Sequence, residues 1–173
     1  MPRSVVLAWL ALAFLSPTAL ARPPEVGLAL PGAEQVGEAQ YRVFSIPFYS
    51  AETWAEGEHF SWNEPFALTL IYHRSAPASF LINRSIHEMS RRGAGAPEQL
   101  TPLRVQLARC FPDVAPNDRI TGVSTDADTA RFYHNAAHRC DVRWPGFRRY
   151  FFGIWLAGRG PDAEFSARLR GER

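Results

Sequence analysis

The side chains in this chain that could act together chemically are one histidine, a set of arginines and two tyrosines. His87 follows Arg84 by three residues and Phe80 by seven, one and two turns if the stretch is helical. A neutral imidazole held there could serve as a general base beside a stabilising guanidinium. The other reading is an ordinary, partly exposed helix histidine. Arg74 and Arg42 could each grip a carboxylate through two parallel N–H···O bonds. Either could equally be a solvated arginine at a strand end or edge. Tyr49 and Tyr72 carry hydroxyls that a ligand could use, although a buried tyrosine usually has its O–H tethered within the protein.

Other chemistries find less support. All 19 basic residues are arginine, so a lysine Schiff base has no donor in this chain. His134 and His138 are four apart, a metal-binding spacing on a helix, but they fall in a stretch that reads as a hairpin, where that spacing does not converge. There is no H-E-x-x-H, no cysteine cluster, no glycine-rich phosphate loop and no G-x-S-x-G elbow. Neither a metal nor a cofactor is expected. The formal net charge is only +2, so the composition makes no electrostatic case for nucleic acid. Cys110 and Cys140 are the two cysteines. They form a disulfide in an oxidising compartment, or remain two buried thiols acting as small hydrophobes.

The element that must position these residues is Phe66 to Met89. Phe66-Ala67-Leu68-Thr69-Leu70-Ile71-Tyr72 is an apolar, β-favouring run that opens after Pro65. Ser75 suits an N-cap and Pro77 a first helical turn. Phe80, Leu81, Ile86 and Met89 then recur at helical spacing, with Gly93 as the stop. A strand feeding a helix across its own face is where a sheet-and-helix domain places a pocket.

Around this unit the chain reads as further strands and helices. Val26 to Leu30 is expected as a short first strand, and Gln35 to Ile46 as a longer one interrupted at Pro47. Phe48 to Ala51 follows as partner or continuation, and Trp54 to Glu64 as a polar connection. A helix opens at Pro97, with Leu100, Leu103, Leu107 and Cys110 or Phe111 on one stripe. Arg119 to Val123, Thr129 to Tyr133 and Arg139 to Val142 read as an antiparallel meander, with a tight turn at Asn135-Ala136. Trp144-Pro145-Gly146 begins an aromatic helix with Arg148 and Arg149 pointing away, and Phe165 and Leu169 mark a last, loosely packed helix. The sum is an α+β domain, a mostly antiparallel sheet with helices on one face.

The first 21 residues are set apart from that domain. Arg3 precedes an apolar run from Val5 to Leu15, Ser16-Pro17 breaks it, and Ala19-Leu20-Ala21 is a small-x-small cleavage site. This is the pattern of a secretory signal peptide, too short to span a bilayer. It makes residues 22–173 the mature, periplasmic or secreted domain, with no integral membrane segment after cleavage.

Several blocks occur together and in order. They are Tyr41-Arg42-Val43-Phe44 with Phe48-Tyr49-Ser50-Ala51, Arg84-Ser85-Ile86-His87-Glu88-Met89, Phe111-Pro112-Asp113-Val114, Asp118-Arg119-Ile120-Thr121-Gly122-Val123, Arg131-Phe132-Tyr133-His134-Asn135 and Phe151-Phe152-Gly153-Ile154-Trp155-Leu156. The set resembles the exported bacterial chalcone isomerase-like proteins, over nearly all of residues 22–173. The resemblance implies a long antiparallel sheet backed by helices, with a ligand cleft between them. Catalytic members close a chalcone to a flavanone without a cofactor, using an arginine, a tyrosine, an asparagine and a threonine. Other members of the fold bind fatty acids. Here the tyrosine position is taken by Phe80, the asparagine by His87 and the threonine by Phe44. The arginine falls within Gly37 to Arg42, with Arg42 about one register step off. The catalytic constellation is thus mostly replaced by aromatics.

The resulting expectation is a non-catalytic protein that holds a small apolar or carboxylate-bearing, fatty-acid-like ligand. Arg42, Phe44, Tyr49, Tyr72, Arg74, Phe80 and Arg84 are its candidate binding residues. The alternatives are a cofactor-independent isomerase or intramolecular lyase with His87 as base, and a periplasmic interaction module with no small ligand.

Overall fold

The structure, a computed structural model, describes residues 22–57 and 59–172. The leader expected over residues 1–21 lies outside the described residues. Six strands form one antiparallel sheet in chain order: β1 (Ala33–Val43), β2 (Ile46–Glu56), β3 (Phe66–Tyr72), β4 (Arg119–Ser124), β5 (Thr129–His134) and β6 (Ala137–Arg143). One face carries α2 (Ala78–Arg91), α3 (Thr101–Cys110), α4 (Gly153–Leu156) and α5 (Ala163–Leu169). This is the α+β class expected from the sequence. Among the described residues, no helix is long and apolar enough to cross a membrane.

β3 keeps its expected bounds because both its faces are covered. Phe66, Leu68, Leu70 and Tyr72 face the helices, and Ala67 faces a second, smaller core on the opposite side. That second core comes from a departure from expectation. Val26 to Leu30 is not a strand: Val26 to Ala29 belong to α1 (Pro24–Ala29), and Leu30 caps its end. Pro24 occupies its first turn, where a missing N–H costs nothing, and Val26 and Leu30 pack down onto Trp54, Ala67 and Val123.

β2 extends through Trp54 to Glu56, not into a polar connection, because Ala51, Thr53 and Ala55 alternate inward opposite β1 and β3. The expected single strand to Ile46 is instead a hairpin with a two-residue turn at Phe44-Ser45. Tyr41 pairs with Tyr49 and Arg42 with Pro47, leaving Phe48 as an extra residue on β2. This bulge turns Phe48 to the same face as Tyr49. The tight turn at Asn135-Ala136 joins β5 to β6, with both residues at positive φ.

α2 starts at Ala78, with Pro77 as its cap residue. The carboxylate of Asp113 accepts the Ala78 N–H at 2.7 Å, the capping role the sequence suggested for Ser75. Two further expectations fail where burial is deeper than patterning implies. Arg148 does not point away: it is 5% exposed, and its guanidinium donates to Ser124 Oγ at 2.7 Å and Trp62 O at 2.9 Å. α5 is not loose, since Leu169 is fully buried and the helix end lies against β1. A Cβ at Gly37 would sit 2.2 Å from the Arg168 carbonyl oxygen, so only glycine admits that approach.

Candidate functional site

Between the sheet and the helices lies a cavity of about 510 Å³, within the range of small-molecule sites. Its floor is the inward face of the sheet. Tyr41 and Val43 come from β1, Phe48 and Tyr49 from β2, Leu68, Leu70 and Tyr72 from β3, and Ile120 and Gly122 from β4. Its roof is α2, with Phe80, Leu81, Arg84, Ser85 and Glu88, followed by Arg92. Phe151, Phe152 and Trp155 close the far side from a wide π-helical turn (Arg148–Phe152) and α4.

Most of this wall is aromatic, and the rings form a connected chain. Phe80 meets Phe48 at 6.3 Å between centroids, Phe48 meets Tyr72 at 6.2 Å, Tyr72 meets Tyr49 at 6.0 Å, and Tyr49 stacks on Tyr41 at 5.0 Å. At Gly122 a Cβ would lie 2.9 Å from a carbon of the Phe132 ring and 3.1 Å from one of Phe152. The missing side chain lets both rings press against the strand.

The polar groups are few and grouped. Arg84, Glu88 and Arg92 recur at intervals of four on one side of the helix and its cap. Glu88 Oε1 pairs with Arg84 Nη2 at 3.0 Å and with Arg91 Nη1 at 3.4 Å, and Glu88 Oε2 pairs with Arg92 Nη1 at 2.8 Å. Three guanidiniums thus share this one carboxylate, of which Arg84 and Arg92 line the cavity, where Asp162 adds a second carboxylate. Arg92 is tied further, donating to the Ile154 carbonyl at 3.3 Å. Of the two that line the cavity Arg84 is the freer: its side chain is 59% exposed against 23% for Arg92, and its one partner is Glu88. An arginine N-terminal to its glutamate is also the weaker order for an i,i+4 pair.

The tyrosine hydroxyls stay neutral. Burial pushes the Tyr49 hydroxyl well above its ordinary pKa, against the opposing effect of the hydrogen bond from Trp155. Burial does the same to Tyr72. Both are protonated throughout the physiological range and offer O–H groups, not phenolates. Among the described residues nothing hydrogen-bonds the Tyr72 hydroxyl.

Of the residues singled out in the sequence, Tyr49, Tyr72, Phe80 and Arg84 line the cavity. The other four do not. Arg42 lies on the opposite face of β1 from Tyr41 and Val43, and donates to the Ser45 carbonyl at 3.1 Å. Phe44 is at the hairpin turn and 95% exposed. Arg74 leaves the end of β3 into solvent. His87 is exposed because it is about 100° round the helix from Glu88, on the outer side of Phe80. It therefore cannot act as a base inside the cavity, and the lining contains no other histidine among the described residues.

Sequence reading missed Tyr41, Phe48, Glu88, Arg92 and Trp155. The 84/88/92 charge spacing was a readable signal for two of them. Phe48 required the bulge, and Trp155 required knowing which way the π-helical turn faces.

No family model matches the chain, and no curated protein is similar to it in sequence. Among solved structures it is similar to a fatty-acid binding protein of Arabidopsis thaliana, with a TM-score of 0.61, 9% sequence identity, and coverage of 81% of this chain and 87% of that one. At that identity the likeness is one of fold, and it joins this sheet-and-helix architecture to the chalcone isomerase fold that the sequence blocks resemble.

Proposed function

We propose that this chain is a binding protein for an elongated apolar molecule with an anionic head, a fatty acid or a similar carboxylic acid. The tail would lie along the aromatic chain from Phe48 to Phe152. The head would meet Arg84, with Arg92 behind it and the Tyr72 hydroxyl as a further donor. The observation that carries this reading is the cavity itself: a largely apolar chamber with two guanidiniums, Arg84 and Arg92, in its wall beside the carboxylates of Glu88 and Asp162. A charge-assisted pair with a carboxylate is the strongest contact such a wall can make. The fold shared with a protein named for fatty-acid binding supports the same reading. The isomerase alternative took His87 as its base, and that residue lies outside the cavity.

We further propose that the protein is exported. The leader pattern at its start supports this, as does the bridge between Cys110 and Cys140, whose Cα atoms are 5.2 Å apart. N-terminal sequencing of the protein from its cell fraction tests cleavage after Ala21.

Native mass spectrometry of the protein as purified tests the binding reading, followed by titration with palmitate and shorter acids while Trp155 emission is recorded. A bound carboxylic acid, or saturable one-to-one binding, is the expected result. A protein that carries nothing and ignores both fatty and aromatic acids overturns it.

A further inference from the structure

Among the described residues six large apolar side chains are exposed, and four of them gather at one end of the molecule. Val43 is 43% exposed, Phe44 95%, Ile46 48% and Phe80 50%. Val43 pairs with Ile46 across the β1–β2 hairpin, and Val43 and Phe80 are also part of the cavity wall. The apolar cluster is therefore the rim of the cavity mouth. Single exposed hydrophobics need no explanation, but a contiguous group of them marks a contact surface.

The shape of this surface is specific. β3 pairs with β2 only as far as Tyr49 opposite Tyr72. Beyond that point β1 and β2 continue alone as a two-stranded ribbon, ending in the turn at Phe44-Ser45. Both turn residues have positive φ, 48° and 65°. That geometry favours Asn, Asp or Gly, and a bulky side chain there is a genuine outlier. Phe44 therefore occupies a backbone position that disfavours it and buries almost nothing in return. The fold does not account for a phenylalanine at that tip.

Charge completes the pattern. No Asp or Glu occurs between Glu38 and Glu52, nor between Glu64 and Glu88, the two stretches that build this end. They contribute Arg42, Arg74 and Arg84, all exposed. Arg84 is paired with Glu88 at 3.0 Å, and Asp113 is engaged with the Ala78 N–H at the start of α2, which leaves Arg42 and Arg74, among the described residues, as the cations nearest the tip without a carboxylate bonded to them. A projecting apolar tip flanked by Arg42 and Arg74, on stretches that carry no carboxylate of their own, fits an anionic lipid surface. Apolar side chains enter the headgroup and acyl boundary while the cations meet phosphate.

We propose that the β1–β2 ribbon tip and Phe80 seat this protein on a bilayer containing anionic phospholipid, with the cavity mouth turned toward the membrane. The docking stands on the tip alone; only its use, the passage of an acyl ligand between bilayer and cavity, rests on the binding function proposed above.

Co-sedimentation with vesicles tests it. The wild-type protein is expected to pellet with phosphatidylcholine vesicles containing phosphatidylglycerol and to remain in solution with phosphatidylcholine alone. Phe44→Ser with Ile46→Ser should cut the bound fraction about tenfold, and Arg42→Gln with Arg74→Gln about threefold. Neither pair lines the cavity, so binding of palmitate in vesicle-free buffer should be unchanged and confirms that each variant is folded. A Phe44→Trp variant should shift its emission to the blue on the anionic vesicles. Wild-type protein that ignores those vesicles overturns the proposal, as does a Phe44→Ser, Ile46→Ser variant that pellets like wild type. Sedimentation velocity showing a wild-type dimer that the same double variant abolishes would assign the tip to a second copy of the chain and overturn it too. Palmitate binding is read separately, so its failure would count against the ligand and not against the docking.

Discussion

The indole N–H of Trp155 donates to the hydroxyl of Tyr49 at 3.0 Å, across the cavity from α4 to β2. It is a direct polar tie between the helical roof and the sheet floor at this depth. Tyr49→Phe removes the acceptor and leaves a nearly buried indole N–H unpaired, since Trp155 is 9% exposed. Such a loss costs about 1–3 kcal/mol. The expected outcome is a lower Tm and a changed Trp155 emission. Because burial raises the pKa of both Tyr49 and Tyr72, the folded state favours their neutral forms. That stabilisation is fully present below the unfolded tyrosine pKa of about 10 and is lost as pH rises beyond it. Denaturant titrations should show a steep alkaline loss above about pH 10, shallower in Tyr49→Phe.

Arg84 and Arg92 should separate in their effects. Arg84 is largely exposed and bonded only to Glu88, whereas Arg92 also holds the Ile154 carbonyl and so joins α2 to α4. Arg84→Ala should leave Tm nearly unchanged, since an exposed i,i+4 pair contributes only about 0.3–0.5 kcal/mol. It should weaken palmitate binding about tenfold, the worth of one charge-assisted contact at a partly solvated site. Methyl palmitate, which has no charge to lose, should bind wild type and Arg84→Ala alike. Equal weakening for acid and ester would place the head elsewhere. Arg92→Ala should lower both affinity and Tm.

Which residues reach the cavity was legible in the sequence only where periodicity alone decided it. Phe80, Arg84 and Tyr72 were found because a strand alternates and a helix turns at fixed angles. His87 was misplaced by the same rule applied too coarsely: seven residues bring it nearly over Phe80, but Phe80 itself stands at the edge of the helix face, and the centre lies near Leu81 and Glu88. Phe44 and Arg42 were misplaced because the hairpin turn could not be located without an Asn-Gly or Asp-Gly signal. A turn built from Phe44-Ser45 contradicts local preference, and such contradictions gather where a residue serves something other than the fold. α1 was misread for a different reason. A six-residue apolar segment carries no period long enough to tell strand from helix, and its packing on Trp54 decides the matter.

On the far face of the sheet, two buried carboxylates should respond to neutralisation with opposite signs. Glu25, in the first turn of α1, is fully buried against the sheet, and burial alone would raise its pKa. Two bonds from Arg119, at 2.8 and 3.1 Å, and one from Thr121 at 2.7 Å outweigh this and hold it below the ordinary value. Its stabilisation is present above the unfolded pKa of about 4.3 and is lost as pH falls through the lower folded value. Burial raises the pKa of Glu52, and Glu38 directly across the strand pair adds to the rise. Its charged form therefore destabilises the fold at neutral pH. Glu25→Gln should cost about 3 kcal/mol at pH 7, as breaking a buried pair does. Glu52→Gln should raise Tm at pH 7, with the gain shrinking as pH falls toward 4, where wild-type Glu52 is itself protonated. Thermal melts of both variants between pH 4 and 8 check the two signs together.

The bridge from Cys110 to Cys140 fastens the end of α3 to β6, the edge strand of the sheet. Beside the packing of the two elements around Val142, Gln106 reaches across to the Arg143 backbone through two exposed bonds, its side-chain amide donating to the carbonyl at 3.2 Å and its oxygen accepting the N–H at 3.0 Å. Cross-linking positions 30 residues apart restricts the unfolded chain, and a loop of that size corresponds to about 3.6 kcal/mol. Reduction, or Cys110→Ala with Cys140→Ala, should therefore lower stability by about that amount. β6 should be affected first, because α3 covers one face of an edge strand whose outer backbone groups face solvent. β1 and β2, five and four strands away, should keep their protection. The cavity wall draws on β1 to β5 and not on β6. Hydrogen exchange under reducing conditions should thus show faster exchange in residues 137–143 and unchanged exchange in residues 48–56, while palmitate affinity stays near that of the oxidised protein. Equal acceleration across the whole sheet would mean that the bridge stabilises the domain as one cooperative unit, and not its edge.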